Sequence, residues 1–259
     1  MFNSSQFTRK FAKSLALLTI ATPVLAACGS GEDAGADKIT VAAVPAESSQ
    51  SLQSDYENIV KLIAQETGKE VEFQNASDYA AVIEGQRAGK IDVASYGPFS
   101  YVIAHDSGVP IEAVASPTND QNEAPAYTSL AYVKEGSDIK SLKDLKGKKA
   151  CFVDPASTSG YLIPTKGVMD AGMKPDADFE PIMAGGHDAS LLTLNDGGCD
   201  VAFAHDAMLQ TLEKSGQIKP GGEMAGLSAQ LRPAAQSIGA VAGRGGNQRS
   251  SKGRWEAGI

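Results

Sequence analysis

Three consecutive hydroxyl side chains, Ser157, Thr158 and Ser159, form the segment of this chain best suited to bind an anion. They follow a strand-like run at 149–153 and precede a helix-like run at 161–171, so they lie where a strand turns into a helix. A helix start has unpaired backbone N–H groups and a partial positive charge, and hydroxyl donors beside them make an uncharged anion site. One such hydroxyl could simply cap the helix. Three in a row, with no Lys or Arg in the motif, predict a site for a tetrahedral oxyanion that is later released.

Strand-like and helix-like segments alternate along the chain, which predicts an α/β fold of mostly parallel sheets covered by helices. A crossing strand at 129–133 interrupts this rhythm, and the alternation restarts after it. We therefore predict one lobe at 39–128, a second at 129–206, and a helix within 207–222 that returns towards the first lobe. Ligands of such sheets bind at the carboxyl ends of the strands. Polar residues follow several predicted strands: Tyr96, Ser157–Ser159, His187 and Asp206.

The first 28 residues predict a targeting segment and not folded structure. A basic start is followed by an apolar run at 14–24 that is too short to span a bilayer, and then by a bacterial lipobox that ends at Cys28. Residues 29–38, rich in Gly and acidic side chains, predict a flexible tether. An ordinary secretory signal with a chance Cys is the alternative. We expect a protein of the cell envelope, on the outer face of the cytoplasmic membrane or in the periplasm, held to the membrane by lipid alone.

Cysteine content and charge narrow the class further. An oxidising compartment allows Cys151 and Cys199 to pair, and two sulfurs without neighbouring His residues make a poor zinc site, so we predict a disulfide and no metal site. The net charge of −8 argues against a nucleic-acid partner. About 220 residues remain after the leader and the tether, enough for two lobes.

Over residues 39–214 the chain resembles the phosphonate, phosphite and phosphate solute-binding proteins of ABC importers. The resemblance is carried by short motifs that occur in the same order and with suitable spacing: SDYA (77–80), GKIDVA (89–94), YGP (96–98), DPASTSGY (154–161) and GGHDAS (185–190).

This resemblance implies a two-lobed periplasmic-binding-protein fold of type II, with a hinge between the lobes. It also implies a monomer that binds a small phosphorus oxyanion, needs no cofactor, and passes its ligand to the permease subunits of an ABC importer. Asp206 would accept a hydrogen bond from a P–OH group or from a ligand amine. The remaining residues that would bind the oxyanion are Tyr79, Tyr96, Tyr127, Ser157, Thr158, Ser159 and His187.

Other interpretations of these residues remain open. Tyr96 and Tyr127 could be packing residues near strand ends, and Asp206 could cap the helix that follows it. His187 could bond a neighbouring turn. A Ser/His/Asp hydrolase of the cell envelope is a further alternative, but the chain lacks a Gly-x-Ser-x-Gly elbow and we expect no catalysis. An adhesive lipoprotein would explain the lipobox but not the clustered polar turns.

The sequence changes character after Pro220. Residues 223–259 are rich in Gly, Ala, Arg, Ser and Gln and show no alternating or buried strand. They resemble translation in a shifted frame or a spliced tail more than the ending of the family, although an ordered, divergent ending is the alternative. We expect a disordered tail, an incomplete first lobe, and loss of the ligand contacts that the family draws from this region. A truncated paralogue without function is therefore also considered.

Overall fold

The computed structural model describes residues 38–118, 122, 125–220, 224–226, 235–236 and 240–244. The predicted signal peptide, Cys28 and all of the predicted tether except residue 38 lie outside the described residues. Within the described ranges, every helix is too short or too polar to cross a bilayer.

The first lobe is a sheet with helices packed on it, in the strand–helix order that the sequence predicts. Its elements along the chain are β1 (Lys38–Ala43), α1 (Ser49–Asp55), α2 (Glu57–Thr67), β2 (Glu70–Gln74), α3 (Tyr79–Arg87), β3 (Val93–Tyr96), α4 (Pro98–Asp106) and β4 (Ile111–Ala115). β1 pairs in parallel with β2 on one side and with β3 on the other. The carboxyl ends of these strands therefore lie at the same edge, where α3 and α4 begin.

The second lobe repeats this arrangement around a second sheet. Its elements, with the connecting strand β5, are β5 (Ala126–Tyr127), β6 (Ser129–Lys134), a 3-10 turn (Leu142–Leu145), β7 (Lys149–Phe152), a π turn (Thr158–Leu162), α5 (Ile163–Asp170), β8 (Glu180–Met183), α6 (His187–Asn195), β9 (Val201–His205), α7 (Met208–Lys214) and β10 (Met224–Gly226). β7 is parallel to both β8 and β9, whereas β6 runs antiparallel to β9. The predicted crossing strand is thus present as β6.

Apolar side chains cover both faces of the second sheet. Phe152, Phe179 and Phe203 belong to the cluster on one face, and Leu191 of α6 belongs to the cluster on the other. The predicted disulfide is confirmed, because Cys151 of β7 is bonded to Cys199 just before β9, with the Cα atoms 5.9 Å apart. The bond ties together two strands that are neighbours in the sheet.

Helix α7 differs from its predicted role as a return to the first lobe. Its buried residues Met208 and Leu212 pack in the same cluster as Leu191 and Leu194 of α6. After α7, β10 pairs antiparallel with β6, so the chain is still in the second lobe at that point. The prediction that a helix within 207–222 returns to the first lobe is therefore wrong, because the apolar face of α7 packs against α6 in the second lobe.

The tail contains strands that the sequence did not indicate. Besides β10, the structure describes β11 (Ala235–Gln236), which pairs with β5, and β12 (Ala240–Arg244). β12 lies antiparallel between β3 and β4, inside the first sheet. The expectation that 223–259 is disordered and adds nothing to the first lobe is wrong for these strands. Strand pairing uses backbone groups, so a run of Ala and Gly can join a sheet without the alternation of apolar residues that marks most strands.

Candidate functional site

The chain passes from β7 into α5 through the hydroxyl triplet, as the sequence predicts. Ser157 is the N-cap residue, and its Oγ accepts a hydrogen bond from the backbone N–H of Gly160 at 3.1 Å. All three hydroxyl residues are buried. A backbone N–H can only donate, so this bond leaves the hydroxyl proton of Ser157 for a further acceptor.

Thr158 receives the same kind of bond, but from the first lobe. The backbone N–H of Phe99, in the first turn of α4, donates to Thr158 Oγ1 at 2.9 Å. Gly97 caps α4 and permits this approach, since a Cβ there would lie 3.1 Å from Thr158 Oγ1 and 3.5 Å from the hydroxyl oxygen of Tyr127. Thr158 therefore joins the two lobes and keeps its own proton for another acceptor.

Two of the predicted tyrosines reach the triplet. The phenol of Tyr79, at the start of α3, lies beside Ser157, and that of Tyr127 in β5 lies beside Thr158 and Ser159. Burial raises the pKa of both phenols above its usual value, because the phenolate would lose its hydration. Both tyrosines therefore stay protonated and are available as neutral donors.

His187, the first residue of α6, faces Ser157 with a defined tautomer. The backbone N–H of His205 donates to His187 Nδ1 at 3.2 Å, so Nδ1 carries no proton. The proton of the neutral ring is then on Nε2, which lies 3.5 Å from Ser157 Oγ. Burial, and then the neighbouring His205, lower the pKa of His187 well below 6.5. His187 thus presents a neutral N–H donor to the hydroxyl cluster.

The site collects the N-terminal ends of helices from both lobes. Tyr79 begins α3, Phe99 lies in the first turn of α4, Ser157 caps the turn into α5, and His187 begins α6. Helix N-termini carry partial positive charge, and none of these residues is a cation. Neutral donors and helix ends can bind an oxyanion without a salt bridge.

Two other predicted residues are bonded to groups outside the hydroxyl triplet. The hydroxyl of Tyr96 donates to Gln86 Oε1 at 3.0 Å inside the first lobe, an arrangement that favours its role as a packing residue. Asp206 is exposed, and its Oδ2 accepts from the backbone N–H of Thr128 at 3.0 Å. It does not cap α7, whose N-cap residue is Ala207 without a side-chain bond.

Sequence reasoning missed residues that position the site. Ser129, buried at the start of β6, donates to the backbone carbonyl of Ser159 at 2.6 Å. The carboxylate of Asp154 accepts from the backbone N–H of Ala156 at 2.7 Å and lies near the backbone N–H of Tyr79 in the first lobe. Asp154 is the first residue of the DPASTSGY motif, whereas Ser129 belongs to no motif. Among the described residues, no group of His, Cys, Asp and Glu could hold a metal ion.

Comparison with known proteins gives consistent matches. The family model for the periplasmic substrate-binding protein of phosphonate ABC transporters matches residues 41–240. The phosphate-import protein PhnD of Mycolicibacterium smegmatis is 44% identical over 194 residues, which cover 71% of this chain and 60% of that protein. The phosphonates-binding periplasmic protein of Escherichia coli is 30% identical over 176 residues, covering 66% of this chain and 52% of that protein. The chain thus spans little more than half the length of these relatives.

Solved structures agree with these sequence matches. The binding-protein component of an ABC phosphonate transporter from Pseudomonas aeruginosa superposes with a TM-score of 0.70 at 29% identity, over 82% of this chain and 70% of that one. PhnD1 of Prochlorococcus marinus in complex with methylphosphonate has a TM-score of 0.67 at 21% identity, over 81% of this chain and 77% of that one, and supports the fold alone. The two-lobed type II fold is confirmed. The family match continues to residue 240, past the point where we expected the resemblance to end. The chain belongs to the family of periplasmic substrate-binding proteins of phosphonate ABC transporters.

Proposed function

We propose that this chain captures a phosphonate, phosphite or phosphate oxyanion between its lobes and delivers it to the permease of an ABC importer. The observation that carries the proposal is the cluster of neutral donors at Ser157, Thr158, Tyr79, Tyr127 and His187, drawn from both lobes around converging helix N-termini. Inorganic phosphate is the first candidate, because the relative with 44% identity is named a phosphate-import protein.

Hinge closure is the proposed mechanism of capture. The Phe99 N–H bond to Thr158 and the contact of Tyr79 with Ser157 both cross between the lobes, so the oxyanion would be enclosed as they form. The backbone donors to Ser157 and Thr158 orient these hydroxyls as donors towards the anion. Each hydrogen bond to a charged group contributes roughly 1.5–3 kcal/mol net, so a few such bonds suffice for tight binding without a cation. Ser159 would add a further hydroxyl. We assign no ligand contact to Tyr96 and keep Asp206 as a candidate acceptor at the edge of the cleft.

The geometry argues against a Ser/His/Asp hydrolase. In that mechanism the His ring takes the Ser proton on Nε2 and donates from Nδ1 to the carboxylate. Here Nδ1 of His187 accepts from His205, which puts the proton on Nε2, the reverse tautomer. Asp206 is engaged by Thr128 instead. The family consists of substrate-binding proteins and not enzymes, and we propose that this chain has no catalytic activity.

Calorimetric titration of the purified chain tests the binding proposal. Phosphate, phosphite, methylphosphonate and 2-aminoethylphosphonate are titrated in turn, with sulfate as the matched tetrahedral control. We expect saturable binding of at least one phosphorus oxyanion and weaker binding of sulfate. A folded protein that binds none of the four would contradict the proposal. Turnover of ester or phosphoester substrates would instead support the hydrolase.

We also propose that the chain is a monomer attached to the cell envelope by a lipid on Cys28. The lipid anchor is proposed from the lipobox sequence, which lies outside the described residues. The lipid would be its only anchor, so Cys28→Ser should move the protein from the membrane fraction to the soluble fraction. If the variant still sediments with membranes after a high-salt wash, the anchor proposal is wrong.

A further inference from the structure

The loop between β1 and α1, residues 45–48, bridges the two lobes and is called the clasp loop here. The backbone N–H of His187, at the start of α6, donates to the carbonyl oxygen of Ala46 at 2.7 Å. The backbone N–H of Ser48 donates to Asp188 Oδ2, also at 2.7 Å. Both distances are at the short end of the range for N–H···O bonds. The clasp loop is therefore bonded to two consecutive residues of the other lobe.

Asp188 is fixed for this contact by its own helix. Its Oδ1 accepts from the backbone N–H of Ala189 at 2.7 Å, while Oδ2 faces Ser48, and the residue is 8% exposed. Gly186 makes the fit possible, because a Cβ there would lie 2.5 Å from Asp188 Oδ1 and 3.6 Å from the carbonyl oxygen of Ala46. Both carboxylate oxygens are thus committed to backbone donors, one from each lobe.

We propose that Asp188 is a positioning residue that holds the occupied cleft shut through the clasp loop and thereby sets the rate of ligand release. The inference rests on the proposed function. Opening the lobes must break the bonds of Ala46 and Ser48 to α6. The residue beside Asp188 is His187, which faces Ser157 with its ring, so closure and oxyanion contact are made by neighbouring residues of one helix.

The clasp and simple electrostatics predict opposite changes in affinity when the charge of Asp188 is removed. A carboxylate near an oxyanion repels it, so neutralising Asp188 would tighten binding if charge alone mattered. An Asn side chain has only one acceptor oxygen, so in Asp188→Asn the NH2 group faces the backbone N–H of either Ser48 or Ala189 and one of the two bonds is lost. The clasp therefore predicts weaker binding from a change that preserves size and removes a repulsive charge.

A second variant breaks the same bond from the other side. Ser48 has φ −55°, which a proline ring accepts, and its N–H is used only for Asp188 in the bonds described, so Ser48→Pro removes that donor. Ser48→Ala keeps the N–H and controls for the loss of the side chain. Asp144→Asn is the matched carboxylate control, because Asp144 accepts the backbone N–H groups of Lys140 and Ser141 within the second lobe.

The probe is radiolabelled inorganic phosphate, with affinity from calorimetry and release followed by rapid filtration. We expect Asp188→Asn and Ser48→Pro each to speed release roughly tenfold, the effect of losing one charge-assisted hydrogen bond, with little change in association. The double variant should release no faster than the faster single variant, because both changes remove one bond. The unfolding midpoint of the ligand-free protein should stay unchanged, and both controls should behave as wild type.

The outcomes separate this inference from the proposed function. If the wild-type chain does not bind phosphate, the function proposed for phosphate fails. If wild type binds but Asp188→Asn and Ser48→Pro release at the wild-type rate, or if Asp188→Asn tightens binding, the clasp is refuted. Additive effects in the double variant, or equal destabilisation of the ligand-free protein, would also overturn it, because the residues would then act separately or through the fold.

Discussion

Replacing Thr158 with Val removes one hydroxyl while keeping the shape of the side chain. In the structure this hydroxyl accepts from the backbone N–H of Phe99 at 2.9 Å and contacts Tyr127. Its own proton is then left for the oxyanion. The substitution therefore deletes a donor to the ligand and a bond between the lobes at the same time.

The expected loss follows from those two roles. A hydrogen bond to a charged ligand contributes roughly 1.5–3 kcal/mol, so losing it alone should raise the Kd about 10- to 150-fold. The Phe99 N–H also loses its acceptor in the closed state, whereas water can satisfy it in the open state. This second effect disfavours closure and moves the expected loss towards the upper end of the range.

Calorimetric titration with inorganic phosphate measures the change, with circular dichroism as a check on folding. Thr158→Ser keeps the hydroxyl and should lie within a few-fold of wild type, since only packing is altered. Thr211→Val is the matched control, because its hydroxyl donates to Ala207 within α7. A folded Thr158→Val protein with wild-type affinity would refute the assignment of Thr158 as a ligand donor.

Three further predictions concern proton binding and stability. Burial lowers the pKa of His187 well below 6.5, and the bond from the His205 N–H to Nδ1 leaves the ring proton on Nε2. We therefore expect imidazole NMR signals of a neutral ring protonated on Nε2 at pH 6, and a titration near 6.5 would contradict the lowered pKa. The unfolded chain then binds more protons than the folded one, and this contribution to stability falls as the pH drops below about 6.5. Burial, and then the neighbouring Asp55, raise the pKa of Glu47 to about 7 from 4.5. Its contribution to stability is complete below about 4.5 and is lost as the pH rises through about 7, so Glu47→Gln should flatten this part of the curve of unfolding free energy against pH, and an unchanged slope would count against it. The Cys151–Cys199 bond closes a separation of 48 residues, so replacing both residues with Ala should cost about 4 kcal/mol of unfolding free energy, and equal denaturation midpoints would disprove this.

Much of the positioning framework was predictable because its signals are local. The strand at 149–153, the hydroxyl triplet and the following helix were predicted at the correct place. The polar turn before α6 was also correctly located after a strand. These features depend on apolar periodicity and on capping residues within a few positions, which the sequence displays directly.

Contacts between distant segments were not predictable. The donors that orient Thr158 and His187 are the backbone N–H groups of Phe99 and His205, and nothing in the side chains of those two residues indicates this role. Tyr96 is predicted to follow a strand but is the last residue of β3, and the pleat of β3 turns its side chain into the first lobe, where its hydroxyl donates to Gln86. Side chains alternate between the two faces of a strand, and the sequence of a strand of only a few residues does not show which residues point to which face.

The position of β12 has a consequence for the order of folding. Ala240 pairs with Tyr96, so the first sheet brings together residues from opposite ends of the described chain, whereas the strands of the second sheet all lie between β6 and β10. Closing a longer loop costs more chain entropy before any contact compensates for it, and distant pairings form slowly. We therefore expect the second lobe to be formed first, as the chain emerges. Until β12 inserts, β3 and β4 each expose an unpaired edge, and in that interval the half-made first lobe is most open to proteases and to association with other chains.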